Sequence, residues 1–217
     1  MYQPPHFVEE RTDVLHALIR AHPLGLLICN GENGPIANPV PFLLDPQAGE
    51  RGVLKAHLAR ANAQWKSLEQ APQTPVLAVF RGPQAYVSPS WYATKAETGK
   101  VVPTWNYATV QVRGLVTVHH DPAWLRRLVG DLTEVHERSQ SAAWAVSDAP
   151  GPFIAAQLRG IVGLEIAIGE ISGKWKVSQN RPAADRSGVE EGLLHGSVED
   201  QRAMAGLVRA YGLSEEG

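Results

Sequence analysis

Apolar residues along the chain alternate between a period near 3.6 and a period of two, and the switches divide it into elements. Val14, Leu15, Leu18 and Ile19 recur at helical spacing after a cap at Thr12 or Asp13, and His22-Pro23 stops the pattern. This predicts a short N-terminal helix. Leu24 to Cys29 and Ile36 to Leu44 flank Gly31-Glu32-Asn33-Gly34, whose Asn-Gly pair offers the positive φ angles of a tight hairpin. Val53 to Leu58 reads as a third strand and Asn62 to Gln70 as a short helix. Val76 to Phe80 and Ala85 to Val87 read as two strands joined through Arg81-Gly82-Pro83. A β-branched pattern runs from Tyr107 to His119, with Gly114 as a bulge or bend. Asp121-Pro122 opens the clearest helix, with Asp as cap, Pro at the first position, and Leu125, Leu128, Val129, Leu132 and Val135 on one apolar face. Pro150 to Leu158 predicts a further short helix, and Ile161 to Ile171 with Trp175 to Val177 a hairpin turning at Ser172-Gly173. Ser197 caps a last helix from Val198 to Tyr211, with Met204, Leu207 and Val208 inward, and the tail beyond Gly212 is expected to fray.

About seven strands, mostly in hairpins, and four or five short helices without parallel strand-helix alternation predict a mainly β, α+β fold. The architecture that fits is a closed or partly closed antiparallel β-barrel with peripheral helices. At 217 residues the chain suits one domain over 1–217, with the region from about 185 as a helical appendage. A single cysteine, Cys29, excludes an intramolecular disulfide framework and sits in an apolar strand as an inert thiol. No run approaches the roughly 18 apolar residues of a membrane span, and Met1-Tyr2-Gln3-Pro4-Pro5-His6-Phe7 lacks the start of a signal peptide, so the expected compartment is the cytoplasm. With 20 basic against 22 acidic residues, scattered and without a stripe, direct DNA binding is doubtful. His119-His120-Asp121 does not read as a metal site, because adjacent strand residues point to opposite faces.

Three clusters carry the candidate chemistry. Lys55-Ala56-His57-Leu58-Ala59-Arg60-Ala61-Asn62-Ala63-Gln64-Trp65 runs from a strand end into a helix start, where backbone N–H groups and a guanidinium suit a phosphate; it also reads as an exposed basic face with Trp65 in the core. The segment from Tyr86 through Ser88, Trp91, Tyr92 and Lys95 to Pro103-Thr104-Trp105-Asn106-Tyr107 is a long loop, a class usually functional or disordered. Its aromatics beside prolines offer a surface to stack on a planar ring, or a loop pinned by buried aromatics. In Lys176-Val177-Ser178-Gln179-Asn180-Arg181-Pro182 the two amides match the alternating donors and acceptors on the edge of an isoalloxazine, and equally a strand exit and turn.

Taken together, the opening Met1 to Phe7, His57-Leu58-Ala59-Arg60-Ala61-Asn62, Tyr86 to Tyr92 with Val102 to Tyr107, and Lys176 to Pro182 resemble the PaiB family. These motifs span nearly the whole chain in the family's order. Ala63 departs from the proline expected in the run before Gln64-Trp65. The resemblance implies an FMN-binding split β-barrel of the pyridoxamine-phosphate-oxidase kind, a homodimer with two flavins at its interface, and the role of a negative transcriptional regulator. It implies that Arg60, with Lys55 or Lys95, meets the FMN phosphate and that Thr104-Trp105-Asn106 lines the ring. The expected cofactor-binding set is thus Lys55, His57, Arg60, Asn62, Ser88, Lys95, Thr104, Trp105, Asn106, Gln179 and Asn180, with the catalytic residues and any enzymatic activity left open and no metal. A flavin-dependent oxidoreductase is the alternative function and a haem-handling barrel a more distant one.

Overall fold

The protein was analysed as a computed structural model that describes residues 1–212; the expectation for the tail lies outside the described residues. In chain order the elements are β1 (Val8–Glu9), α1 (Thr12–Ala21), β2 (Leu24–Gly31), β3 (Gly34–Pro41), β4 (Leu43–Asp45), β5 (Val53–Ala59), α2 (Gln64–Gln70), β6 (Val76–Val87), α3 (Thr94–Thr98), β7 (Thr104–His119), α4 (Pro122–Glu137), α5 (Gly151–Arg159), β8 (Ile161–Lys176), α6 (Ala183–Leu194) and α7 (Glu199–Gly212). The strands form one eight-stranded sheet in the order β3-β2-β6-β7-β8-β5-β4, with β1 paired to β8. The fold is mainly β, an antiparallel barrel with helices as the hydrophobic pattern predicts, and of the split kind that the resemblance implies. No helix among the described residues is long and apolar enough to cross a membrane.

The chain separates into two compact units, Met1–Leu18 with Arg81–Val110 and Ser172–Gly217, and Ile19–Phe80 with Gln111–Ile171. In the second unit β2 and β3 form the expected hairpin, closed by the pair Gly31 and Gly34. The positive φ falls on Gly34, at 118°, and not on Asn33, so the turn uses the glycine of the Asn-Gly pair alone. Asp121 accepts hydrogen bonds from the N–H groups of Ala123 and Trp124 and starts α4 as expected. Leu125, Leu128 and Leu132 are buried on its inner face, whereas Val135 is exposed. Leu125 packs with Ile154 and Leu158 of α5, a cluster in which each buried side chain contributes about 2 kcal/mol of apolar burial.

Two expected turns are absent, both for the same reason. Arg81-Gly82-Pro83 lies inside β6, and a Cβ on Gly82 would stand 2.9 Å from Leu18 Cδ1. Likewise Ser172-Gly173 lies inside β8, where Gly173 pairs with Glu9 of β1 and a Cβ would come within 2.1 Å of Leu15. Each glycine is required for close approach, not for chain reversal. Gly114, expected to bulge or bend, sits inside β7 with its Cα turned onto the Ala167 carbonyl, 2.1 Å from where a Cβ would be. The first turn of α7 is met by Gln201, whose Oε1 accepts from the Val198 N–H, in place of the expected Ser197 cap.

The first unit also contains a helix that periodicity alone did not reveal, α6, which buries Val189 and Leu193 as α7 buries Met204 and Val208. The C-terminal helix is tied to β1 through a buried carboxylate. Glu9, 4% exposed, accepts from Arg11 Nε at 2.9 Å and Nη2 at 2.6 Å, and from the Tyr211 hydroxyl. Burial alone would raise the Glu9 pKa, but the hydrogen bonds from Arg11 and Tyr211 outweigh it and draw the group from 4.5 to about 2. Burial and the Glu9 contact push Tyr211 upward in turn. Because the folded-state value is depressed, the stabilisation is complete above about 4.5 and is lost as pH falls toward 2. Glu9→Gln is expected to lose on the order of 3 kcal/mol at pH 7 and to flatten the acid limb of the stability curve; urea unfolding at pH 7 and pH 3 measures both.

Candidate functional site

In the second unit, β5 brings Lys55 and His57 onto one face and leads through Arg60 and Asn62 into α2. Lys55 Nζ is 2.9 Å from Asp45 Oδ2, and this hydrogen bond, set against burial, holds the Asp45 carboxyl below its usual range. His57 lies opposite Gly163, whose bare Cα accommodates the Trp124 ring. Its Nδ1 is buried without a partner, and burial lowers its pKa, so the imidazole is kept neutral. His119 is similar: stacked on Trp124 at 4.0 Å, with an unpartnered Nε2 4.0 Å from Glu165 and a pKa lowered chiefly by burial.

Arg60 is fixed by its own neighbourhood. Its Nε donates to the Arg159 carbonyl and Nη2 to the Ile161 carbonyl, both at 2.9 Å, while Nη1 stands 3.5 Å from His120 Nδ1. A guanidinium has five donors, so two N–H groups remain for an anion. The helix start expected beside it is already occupied, since Asn62 Oδ1 accepts from the Gln64 N–H. Gln64 was not expected to matter, yet its fully buried amide donates to the Leu27 carbonyl and accepts from Asn38, joining α2 to β2 and β3. Trp65 is not a core residue; its Nε1 donates to the Arg60 carbonyl at 2.9 Å.

The first unit contains the remaining expected residues. Ser88 caps a short 3-10 turn by accepting from the Ser90 N–H, and Lys95 Nζ donates to Ser90 Oγ at 3.2 Å. The long loop is partly ordered by α3 and pinned by Asp185, a buried residue of α6 whose carboxylate accepts from the Thr94 N–H and Oγ1 at 2.9 and 3.0 Å. Trp91 packs against Gly188 and Gly192 of the same helix, where a Cβ would collide with it. Loop and helix therefore form one packed piece.

At the start of β7, Lys176 Nζ donates to Thr104 Oγ1 and, at 2.6 Å, to the Trp105 carbonyl. The Trp105 ring is 55% exposed and meets Tyr86, 45% exposed, edge to face with centroids 6.2 Å apart. Burial, then the charges of Lys174 and Arg181, lower the Lys176 pKa. This ammonium is crowded by cations, an arrangement relieved by an anion. Asn106 is buried, donating to Ser178 Oγ at 2.8 Å, and Ser178 has a φ of 67°, the one positive value of a non-glycine among the described residues. Gln179 is engaged locally, accepting from the Val177 N–H and donating to the Trp175 carbonyl, whereas Asn180 is exposed. The expected residues thus divide between the units, with Lys55, His57, Arg60 and Asn62 in the second and Ser88, Lys95, Thr104, Trp105, Asn106, Gln179 and Asn180 in the first. Lys176 was not among the expected residues, although its motif was noticed, because its burial and its hydrogen bonds to Thr104 and Trp105 come from packing.

Comparison with known proteins places the chain in a family. Residues 1–170 match the model described as "Putative FMN-binding domain". The chain belongs to the FMN-binding domain family. FMN is accordingly its cofactor, as the PaiB resemblance implies. The chain is 28% identical, over 96% of both chains, to the protease synthase and sporulation protein PAI 2 of Bacillus subtilis, and 33% identical, over 98% of both, to an uncharacterized protein of Emericella nidulans. Among solved structures, the flavocytochrome of Azotobacter vinelandii matches with a TM-score of 0.55 at 14% identity, covering 78% of this chain and 69% of that one. The FAD and heme binding protein of Mycobacterium smegmatis matches with a TM-score of 0.53 at 17% identity, covering 77% and 71%. At these identities the likeness concerns the fold of this FMN-binding protein.

Asp185→Ala leaves the Thr94 N–H and hydroxyl without their buried acceptor. The expected loss is about 3 kcal/mol in urea unfolding, with faster proteolytic cleavage between residues 88 and 104; unchanged cleavage would show that the loop does not depend on this carboxylate.

Proposed function

We propose that this protein is an FMN-dependent sensor of the PaiB kind, acting as a homodimer, with a regulatory effect that does not pass through tight DNA binding of its own. The observation that carries the reading is Lys176, half-buried and hydrogen-bonded to Thr104 and the carbonyl of an exposed Trp105, in a chain of the FMN-binding domain family. The donor set suits the cofactor: guanidinium and ammonium groups for a phosphate, and exposed indole and phenol rings for a planar heterocycle. Arg60 and Lys176 are the groups proposed for the anionic parts of FMN, with Lys95, Ser88 and Thr104 supporting, Lys55, His57 and Asn62 shaping the Arg60 set, and Trp105 and Asn180 toward the ring. Asn106 and Gln179 act through the shape of the turn, since each is occupied within it. When bound, FMN supplies one- and two-electron redox chemistry, and the protein supplies placement.

The regulatory role is supported by the similarity to the sporulation protein PAI 2 over nearly the whole chain. The exposed aromatic surface at Tyr86 and Trp105 supports dimerisation, because such surface favours burial. The cytoplasm suits a chain whose one thiol is buried and free.

Titration of the flavin-free protein with FMN is expected to show a loss of about tenfold to a hundredfold in affinity for Lys176→Met and for Arg60→Ala, as loss of a charge-assisted contact requires. Unchanged affinity in either variant removes that residue from the phosphate site. The loaded protein is expected to sediment at about twice 23.5 kDa, and to show no saturable nanomolar binding to promoter fragments by fluorescence anisotropy at about 0.15 M salt. A loaded monomer would overturn the dimer, and sequence-selective nanomolar binding would restore a direct repressor.

A further inference from the structure

The second unit contains a groove of about 700 Å³ along α4 and α5, and of its lining residues the flavin reading uses Arg60 alone. Its rim is cationic, formed by Arg60, Arg126 and Arg159, and its floor is apolar, formed by Leu125, Leu158 and Ala155. No acidic side chain among the described residues lines it, although the chain as a whole has more acids than bases.

Arg126 also faces the adjoining pocket that holds Asp131, while two other acids near the groove, Glu69 and Asp121, are committed elsewhere. Glu69 is paired with His120, 2.8 Å from Nε2, and both oxygens of Asp121 accept from the first N–H groups of α4. On its other side, His120 Nδ1 stands 3.5 Å from Arg60 Nη1. That contact and the carbonyls of Arg159 and Ile161 fix the direction of the Arg60 guanidinium. The side chains of Arg126 and Arg159, by contrast, are without hydrogen bond or ion pair among the described residues.

Guanidinium groups without acids, set above an apolar floor in a cavity of small-ligand size, match a molecule with the complementary distribution. We infer that this groove binds a small amphipathic anion, with a phosphate or carboxylate head at the arginine rim and an alkyl or aryl body on Leu125 and Leu158. Arg126 and Arg159 hold the head and the helix surfaces hold the body. The inference does not require the flavin reading, because Arg60 is the one residue the two share.

The test is calorimetric titration of the full-length, FMN-saturated protein with decyl phosphate below its micelle concentration. Inorganic phosphate and decyltrimethylammonium are titrated in parallel. The expected result is saturation at one decyl phosphate per chain, at least about tenfold tighter than either comparator. The double variant Arg126→Gln, Arg159→Gln is expected to weaken binding about tenfold or more. Ala155→Trp, at an exposed helical position on the floor, is expected to abolish binding by filling the groove while the flavin absorbance stays unchanged. Equal affinity for the cationic amphiphile, or unchanged binding in both variants, overturns the inference. Release of FMN in proportion to decyl phosphate bound also overturns it, by making the groove part of the flavin site. Should the protein take up no FMN, the flavin reading falls and the same titrations on the flavin-free protein decide the groove by themselves.

Discussion

The sheet depends on close approach at bare backbone. β6, β7 and β8 are long strands, and each passes through a glycine at which a neighbour occupies the space a side chain would need: Leu18 at Gly82, the Ala167 carbonyl at Gly114, and Leu15 at Gly173. A methyl group at Gly114 or Gly173 would lie within about 2.1 Å of those atoms. Nothing short of moving a strand or helix relieves such an overlap, and interiors packed to crystal-like density leave little room for that. Continuous strands in turn set the register that carries Thr104 and Trp105 on β7 and Lys176 on β8, the residues that meet in the first unit. The same device recurs where Gly188 and Gly192 admit Trp91 to the surface of α6 and so fix one end of the ligand-like loop.

Two buried carboxylates complete the first unit, and their environments show how such groups are tolerated. Glu9 and Asp185 are nearly inaccessible, yet each accepts several hydrogen bonds, Glu9 from Arg11 and Tyr211, Asp185 from Thr94. Leaving either acid out would strand its donors, which costs more than the pairs contribute on balance. Both acids join segments far apart in sequence, one fastening the C-terminal helix to β1 and the other fastening the loop after β6 to α6.

Much of the fold was legible in the sequence because local signals and tertiary structure agree. Asp121-Pro122 states a helix start in the chain itself, and the alternation in Val53 to Leu58 states a strand with one buried face. Reading failed where a residue type has two uses. Gly82 and Gly173 read locally as turn formers, the commoner meaning, while their neighbours in space, Leu18 and Leu15, demand a missing Cβ, and no local pattern records which atom approaches from a distant part of the chain. The site was legible as composition and not as geometry. The motifs around Arg60 and Thr104 stand out for their cations, aromatics and amides, whereas the contacts of Asn106 with the Ser178 hydroxyl, of Gln179 with the backbone of its turn, and of Asp185, Gln64 and Lys176 with distant segments come only through packing.

The distribution of cations connects these features to ligand binding. An ion pair satisfies a lysine or arginine within the protein, as Asp45 does for Lys55. Where the partner is missing, the charge stays available at an energetic cost to the folded chain, because burial and like charges both disfavour it. Lys176 bears that cost most clearly, with its amine pulled down by burial and by Lys174 and Arg181. Its position is nevertheless held by two oxygen acceptors, Thr104 and the Trp105 carbonyl, so the charge is aimed as well as unpaired. Arg60 follows the same logic with a different fastening: three of its donors face protein atoms, and the rest keep a fixed direction because the guanidinium is planar. A charge that is oriented but not neutralised binds an anion with little loss of conformational entropy, and this preorganisation suits both residues to an anionic cofactor better than equally basic side chains free to turn in solvent.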